Sequence, residues 1–211
     1  MCFSASASFA AGTCLLGLGT LTWRAARRPC ERPFAAIPLL FATQQFIEGL
    51  IWLTFSDEAA RVNAILTYAY TLFSHLLWPV FVPLAVLLIE PPGWRRRALA
   101  ACVVAGTLVS ASLLFSIAEG GIVSRPTGHH IEYIAPHYFA LATMALYLLS
   151  TSASQLLSTH GAVRAFGLLA LLSFGAVYVA YATWFISVWC YFAAALSSVV
   201  LLHFVAMPVR P

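Results

Sequence analysis

The chain of 211 residues contains no lysine and a single aspartate, and only 9% of its residues are charged, against roughly 25% in an ordinary soluble domain. Without lysine there is no Schiff base to retinal or to pyridoxal phosphate. So little charge also excludes a typical soluble enzyme, because a soluble fold of this size could not cover so apolar a surface. The five cysteines, Cys2, Cys14, Cys30, Cys102 and Cys190, are scattered without a C-x-x-C pair, and an odd, dispersed set excludes a disulfide scaffold. The net charge of +4 comes from short arginine clusters between apolar runs, a topology signal rather than a nucleic-acid footprint.

What the chain does have is apolar length. Hydrophobic residues make up 62% of it, with a mean hydropathy of +0.90, and this predicts an all-α polytopic membrane protein formed by one domain over residues 1–211. A spanning helix needs about 20 mainly apolar residues. Seven stretches meet that length: Ser4–Trp23, Phe34–Thr54, Ala64–Ile89, Ala98–Ala118, His137–Leu157, Val163–Thr183 and Phe185–Met207. Breakers separate most of them, including Arg27-Arg28-Pro29, Glu90-Pro91-Pro92-Gly93 and Gly120-Gly121. The weakest break lies between the sixth and seventh, where residues 184–187 hold neither Gly nor Pro.

Arginine distribution sets the expected orientation. With the N-terminus outside, Arg24, Arg27, Arg28, Arg32, Arg95, Arg96, Arg97, Arg164 and Arg210 face the cytoplasm, while only Arg61 and Arg125 lie outside. Nine against two is a strong positive-inside bias, placing the C-terminus inside and the protein in a bacterial inner membrane. The N-terminal segment lacks the basic region of a cleavable signal peptide and is expected to stay as the first span. Trp23, Trp94 and Trp184 fall near span ends, as interfacial anchors do.

Polar side chains inside the spans are the candidate site, since each costs free energy in hydrocarbon. Gln44 and Glu48 share one face of the second span, with Gln45 beside Glu48 at i+3. His75, on the third span before Pro79 and Pro83, is the expected partner of Glu48, the two side chains leaning toward each other from antiparallel helices. Tyr133 and His137 are expected to cap this pocket from the outer side, with His130 and His137 on one helical face. Trp189 and Cys190 contribute from the seventh span. Glu48, His75 and His137 are the candidate ligands of a divalent metal. His160 and His203, toward the cytoplasmic side, read as structural.

The segments Met1-Cys2-Phe3-Ser4-Ala5, Gln44-Gln45-x-x-Glu48-Gly49-x-x-Trp52, Trp78-Pro79 and Ser187-Val188-Trp189-Cys190-Tyr191-Phe192-Ala193-Ala194 together resemble a family of small bacterial membrane proteins with a domain of unknown function. The resemblance implies a shared seven-helix fold and carries over no activity or catalytic residue.

The polar residues support an outward-facing intramembrane pocket, built from Gln44, Gln45, Glu48, His75, Tyr133, His137, Trp189 and Cys190. Its expected occupants are a small molecule, a lipid head group, a proton or a metal ion, with membrane lipids as neighbours and no nucleic acid. The alternative is an intramembrane lipid hydrolase or transferase, possibly metal-dependent, in which His75 acts as base or metal ligand and Glu48 orients it. That reading lacks a sequence signature, because H-E-x-x-H, H-x-x-x-H and G-x-S-x-G are all absent. A bis-histidine haem needs two histidines at matching depth, and His75, His137 and His203 fall at different depths.

Overall fold

Ser4 starts the first helix: its side-chain oxygen accepts a hydrogen bond from the Ala7 N–H at 3.3 Å, satisfying one of the donors a helix start leaves open. A computed structural model describes residues 4–135 and 141–205. It contains α1 (Ala5–Ala25), α2 (Pro29–Trp52), α3 (Asp57–Ile89) and α4 (Trp94–Gly120). A hairpin of β1 (Val123–Thr127) and β2 (His130–Ile134) follows. A helical stretch over 141–156, α5, then leads to α6 (Gly161–Ala180) and α7 (Phe185–Val205).

Among the described residues, six helices are long and apolar enough to cross a membrane. The protein is a multi-pass membrane protein. The expected fifth span begins at His137, outside the described residues. Its described part combines an α-helix over Leu141–Leu148, a π-helical turn over Leu149–Ala153 and a last turn over Ser154–Leu156. Six spans are therefore counted among the described residues, and the expected fifth span lies partly outside them. The break between the last two spans is a 3-10 turn over Ala182–Trp184.

The packing is inside-out relative to a soluble protein. Gln44, Gln45, Glu48, Thr67, Ser150 and Gln155 are buried, while Leu21, Leu72, Leu108, Phe115 and Leu172 point outward. Lipid is the solvent that makes this arrangement stable: outward apolar side chains cost nothing there, and polar ones must find partners inside.

Successive helices run antiparallel, as the paired residues show. Gly49 packs on Phe9 and Gly19 on Leu39 between α1 and α2; Ser110 Oγ donates to the Leu76 carbonyl (2.9 Å) between α3 and α4. The closest approach is at Gly106 of α4, where a Cβ would stand 1.8 Å from the Pro79 carbonyl oxygen. Pro83 explains why that oxygen is available, because a proline four residues on supplies no N–H to it.

Two ends of the bundle differ sharply. At one, Glu31 accepts from the Arg27 and Arg28 backbone N–H groups and from Arg28 Nε (2.7 Å). At the same end Glu90 accepts from Ser158 Oγ (2.8 Å) and the Thr159 N–H, and Arg95 donates to the Leu157 and Ser158 carbonyls. At the other end lies the hairpin. Between α4 and the fifth span, β1 and β2 pair antiparallel with Thr127 opposite His130, and Gly128 takes the left-handed conformation (φ 62°) that the turn requires. Ser124 Oγ is bonded to Thr67 Oγ1 (2.8 Å) and to Asn63 Oδ1 (3.0 Å), which fastens the hairpin to α3.

Candidate functional site

Beneath the hairpin, one turn of α2 buries three polar side chains completely: Gln44, Gln45 and Glu48. Glu48 accepts from Ser187 Oγ of α7 at 2.6 Å and from Gln45 Nε2 at 3.4 Å, and the Tyr70 side chain of α3 is hydrogen-bonded to it as well. Gln44 faces the neighbouring side: its Oε1 accepts from Trp78 Nε1 at 2.8 Å, and Trp78 is stacked on Phe41 with ring centroids 4.0 Å apart. The Cys190 thiol lies beside Gln44 and Tyr70. The cluster thus joins α2, α3 and α7, and the described groups that hydrogen-bond Glu48 are all neutral.

Tyr133 closes the cluster from above. Its ring lies parallel to that of Tyr70, centroids 4.6 Å apart and planes within 2°, so the hairpin is seated on the residue that touches Glu48. His130 is in strand β2, not on a helix with His137, and it stacks on Trp184 at 4.6 Å with Tyr181 at its edge. His137 lies outside the described residues.

Glu48 and His75 do not form the expected pair. His75 is not among the described groups that touch the carboxyl; its Nδ1 is 2.7 Å from Ser74 Oγ, and it turns toward α5. The cause is a π-helical turn over Leu72–Leu77. There the Trp78 N–H bonds to the Phe73 carbonyl, and Pro79 has no N–H, so the Ser74 carbonyl is left without a helical donor. The Tyr147 hydroxyl of α5 donates to it. One extra residue in the turn rotates His75 away from α2.

Two small cavities flank the cluster. One, of about 20 Å³, is lined by Ser74, His75, Tyr147, Trp189 and Cys190 among others. The second, of about 30 Å³, is lined by Trp78, Tyr147, Thr151, Gln155, Trp189 and Cys190 among others. Trp189 is fixed by its Nε1 donating to the Ala170 carbonyl (3.3 Å). A cavity needs about 10–15 Å³ to hold one water molecule, so these spaces admit water and little else. In place of one open pocket, the described residues make a packed polar cluster beside water-sized voids. No three His, Cys, Asp or Glu side chains among the described residues come together as metal ligands.

Two members of the site, Tyr70 and Tyr147, were not singled out by sequence, and Ser187 was noted only within the shared motif. Tyr70 lies one turn before Ser74, so spacing placed it on the polar face, yet a tyrosine in a span reads equally as packing. Tyr147 carries no signal short of the π turn it serves. Ser187, on an apparent small-residue packing face, is the closest hydrogen-bond partner of Glu48.

The full chain, residues 1–211, matches a family of unknown function, DUF6629. The chain belongs to that family. Membership fixes kinship over the whole fold and assigns no activity. No curated protein and no solved structure matches the chain.

The hairpin of this family member carries a pH dependence. Burial against Trp184 and Tyr181, ahead of the neighbouring charge of His129, lowers the His130 pKa from its ordinary 6.5. The docked hairpin therefore favours the neutral ring, and the undocked hairpin protonates first as pH falls. The docking contributed by His130 is complete above 6.5 and weakens as pH drops below it. Hydrogen–deuterium exchange of the hairpin amides over residues 123–134 is expected to accelerate on acidification in wild type relative to His130→Phe measured at each pH. Parallel profiles for the two proteins would refute this.

Proposed function

We propose that the protein is a seven-span bacterial inner-membrane protein, N-terminus outside and C-terminus inside, whose buried Glu48 cluster binds and passes protons. The single observation that carries this reading is Glu48 itself: a carboxyl with no solvent exposure, hydrogen-bonded to neutral groups of α2, α3 and α7. An ionisable residue inside a span is retained at a cost and is a functional candidate for that reason. Because its described partners are neutral, gain or loss of the Glu48 proton changes which hydrogen bonds hold three helices together. That is the coupling a proton-linked device needs.

Cavity size favours the proton over the other expected cargoes. Voids of about 20 and 30 Å³ match single waters, not a lipid head group or a metabolite. The hydrolase alternative is favoured less, since His75 and Glu48 are not in contact. The arginine-rich end, with Trp23 and Trp94 exposed and lying under the guanidinium groups of Arg32 and Arg95, supports an inward orientation of that end.

Purified protein in liposomes enclosing a pH-sensitive dye tests the reading. An imposed pH gradient is expected to decay faster with wild type than with empty liposomes. Glu48→Gln should fall to the empty-liposome rate with helicity intact, and Glu48→Asp should retain flux. Equal flux in wild type and Glu48→Gln would overturn it.

A further inference from the structure

Gln155 is a deeply buried polar group outside the Glu48 cluster whose hydrogen bonding is incomplete. It sits in the last turn of α5, 1% exposed. Its Nε2 donates to the Thr151 carbonyl at 2.8 Å, but its Oε1 has no hydrogen-bond donor. A buried amide oxygen left bare forfeits the hydrogen bond it had to water, so a donor is required. Gly167 explains how the side chain is trapped, since a Cβ there would stand 2.6 Å from the Gln155 Cβ, and α6 closes over it. The amide lines the 30 Å³ cavity together with Thr151 and Ser152.

That cavity is continuous in its lining with the smaller one: Tyr147, Trp189 and Cys190 form the wall of both. The smaller cavity reaches Ser74 and His75, and Cys190 lies beside Tyr70 and Gln44 of the Glu48 cluster. Both π-helical turns, Leu72–Leu77 and Leu149–Ala153, border this route, and such turns redirect groups out of the helical ladder.

We propose that the two cavities are hydration sites, and that Gln155 Oε1 and the Thr151 side chain hold a water molecule in the larger one. The waters extend the polar cluster of Glu48 from the hairpin half of the bundle into the arginine-rich half. Gln155 is a positioning residue, holding water and not itself transferring a proton. The use of this file as a proton path rests on the function proposed for Glu48; its hydration does not. In that use each water takes up one proton on one side and releases another on the far side. One O–H bond forms as one breaks, and no further reactant is needed.

The chain has only three glutamines, Gln44, Gln45 and Gln155, which makes the test selective. Protein labelled with ¹⁵N at glutamine and reconstituted in bilayers is examined by solid-state NMR with magnetisation transferred from water to the side-chain amides. Gln155→Leu assigns the resonance. Transfer to the Gln155 amide is expected to build up rapidly in wild type. It should be several-fold slower in Ala170→Val, which fills the cavity, and in Thr151→Val, which keeps the shape and removes a polar partner. Build-up in wild type as slow as for lipid-facing helix amides would overturn the hydration, as would unchanged build-up in Thr151→Val. Rapid transfer in a wild type that shows no liposome proton flux would refute the proton reading and leave the hydration standing.

Discussion

Gly106→Ala is expected to cost the bundle about 3 kcal/mol, whereas Gly17→Ala is expected to cost nothing. Both replace a helical glycine by the best helix former, a change that by propensity alone favours alanine by about 1 kcal/mol. The surroundings reverse the sign at one site only. The new methyl at Gly106 would fall 1.8 Å from the Pro79 oxygen, 2.6 Å from its carbonyl carbon and 3.2 Å from the Ser150 Cβ. Two of these are backbone atoms, which no rotamer change can move. Overpacking of this kind costs typically 1–3 kcal/mol, and here it must separate α4 from α3 next to the π turn. At Gly17 nothing lies within 4 Å. Reversible unfolding in mixed detergent micelles, followed by circular dichroism, measures both. Equal stability of the two variants would show that α3 and α4 are not packed through Gly106.

Glu48→Leu is expected to destabilise the protein by about 2 kcal/mol while Glu48→Gln stays close to wild type. Leucine fits the volume but removes the acceptor of Ser187 Oγ, Gln45 Nε2 and Tyr70. In water-soluble cores each orphaned donor costs about 1–3 kcal/mol. Interhelical bonds in membranes average nearer 0.6 kcal/mol, because the unfolded chain in lipid also finds partners. Three partners at the lower figure give about 2 kcal/mol, and the Ser187 hydroxyl has a fallback on its own helix backbone. Glutamine keeps both an acceptor and the shape, so it separates the two roles of Glu48: stability survives and proton flux does not. Loss of stability in Glu48→Gln equal to that in Glu48→Leu would mean that charge, not hydrogen bonding, holds α2 to α7. The same micelle titration reads this without reference to flux.

The helical class, the approximate positions of most described helices and the burial of Gln44, Gln45 and Glu48 follow from the order of residues alone, although α2 and α3 begin earlier than expected, at Pro29 and Asp57. Hydrocarbon imposes that legibility: a spanning segment must be about 20 apolar residues long, and every polar side chain in it must turn inward. Spacing at i, i+3 and i+4 then set Gln44, Gln45 and Glu48 on neighbouring positions of one turn. What joined them to partners was not local. Ser187 lies 139 positions from Glu48, and nothing in either segment encodes the meeting. The separation of His75 from Glu48 depends on a π turn, which exists because Pro79 withholds one N–H and Tyr147 of a distant helix satisfies the carbonyl thereby freed. The hairpin over residues 123–134 looked like a loop because its strands are short and stable only when Ile131 and Tyr133 are buried against α3 and α4. Periodicity and solvent therefore determined which residues go inside, while long-range packing and one missing backbone donor decided which of them touch.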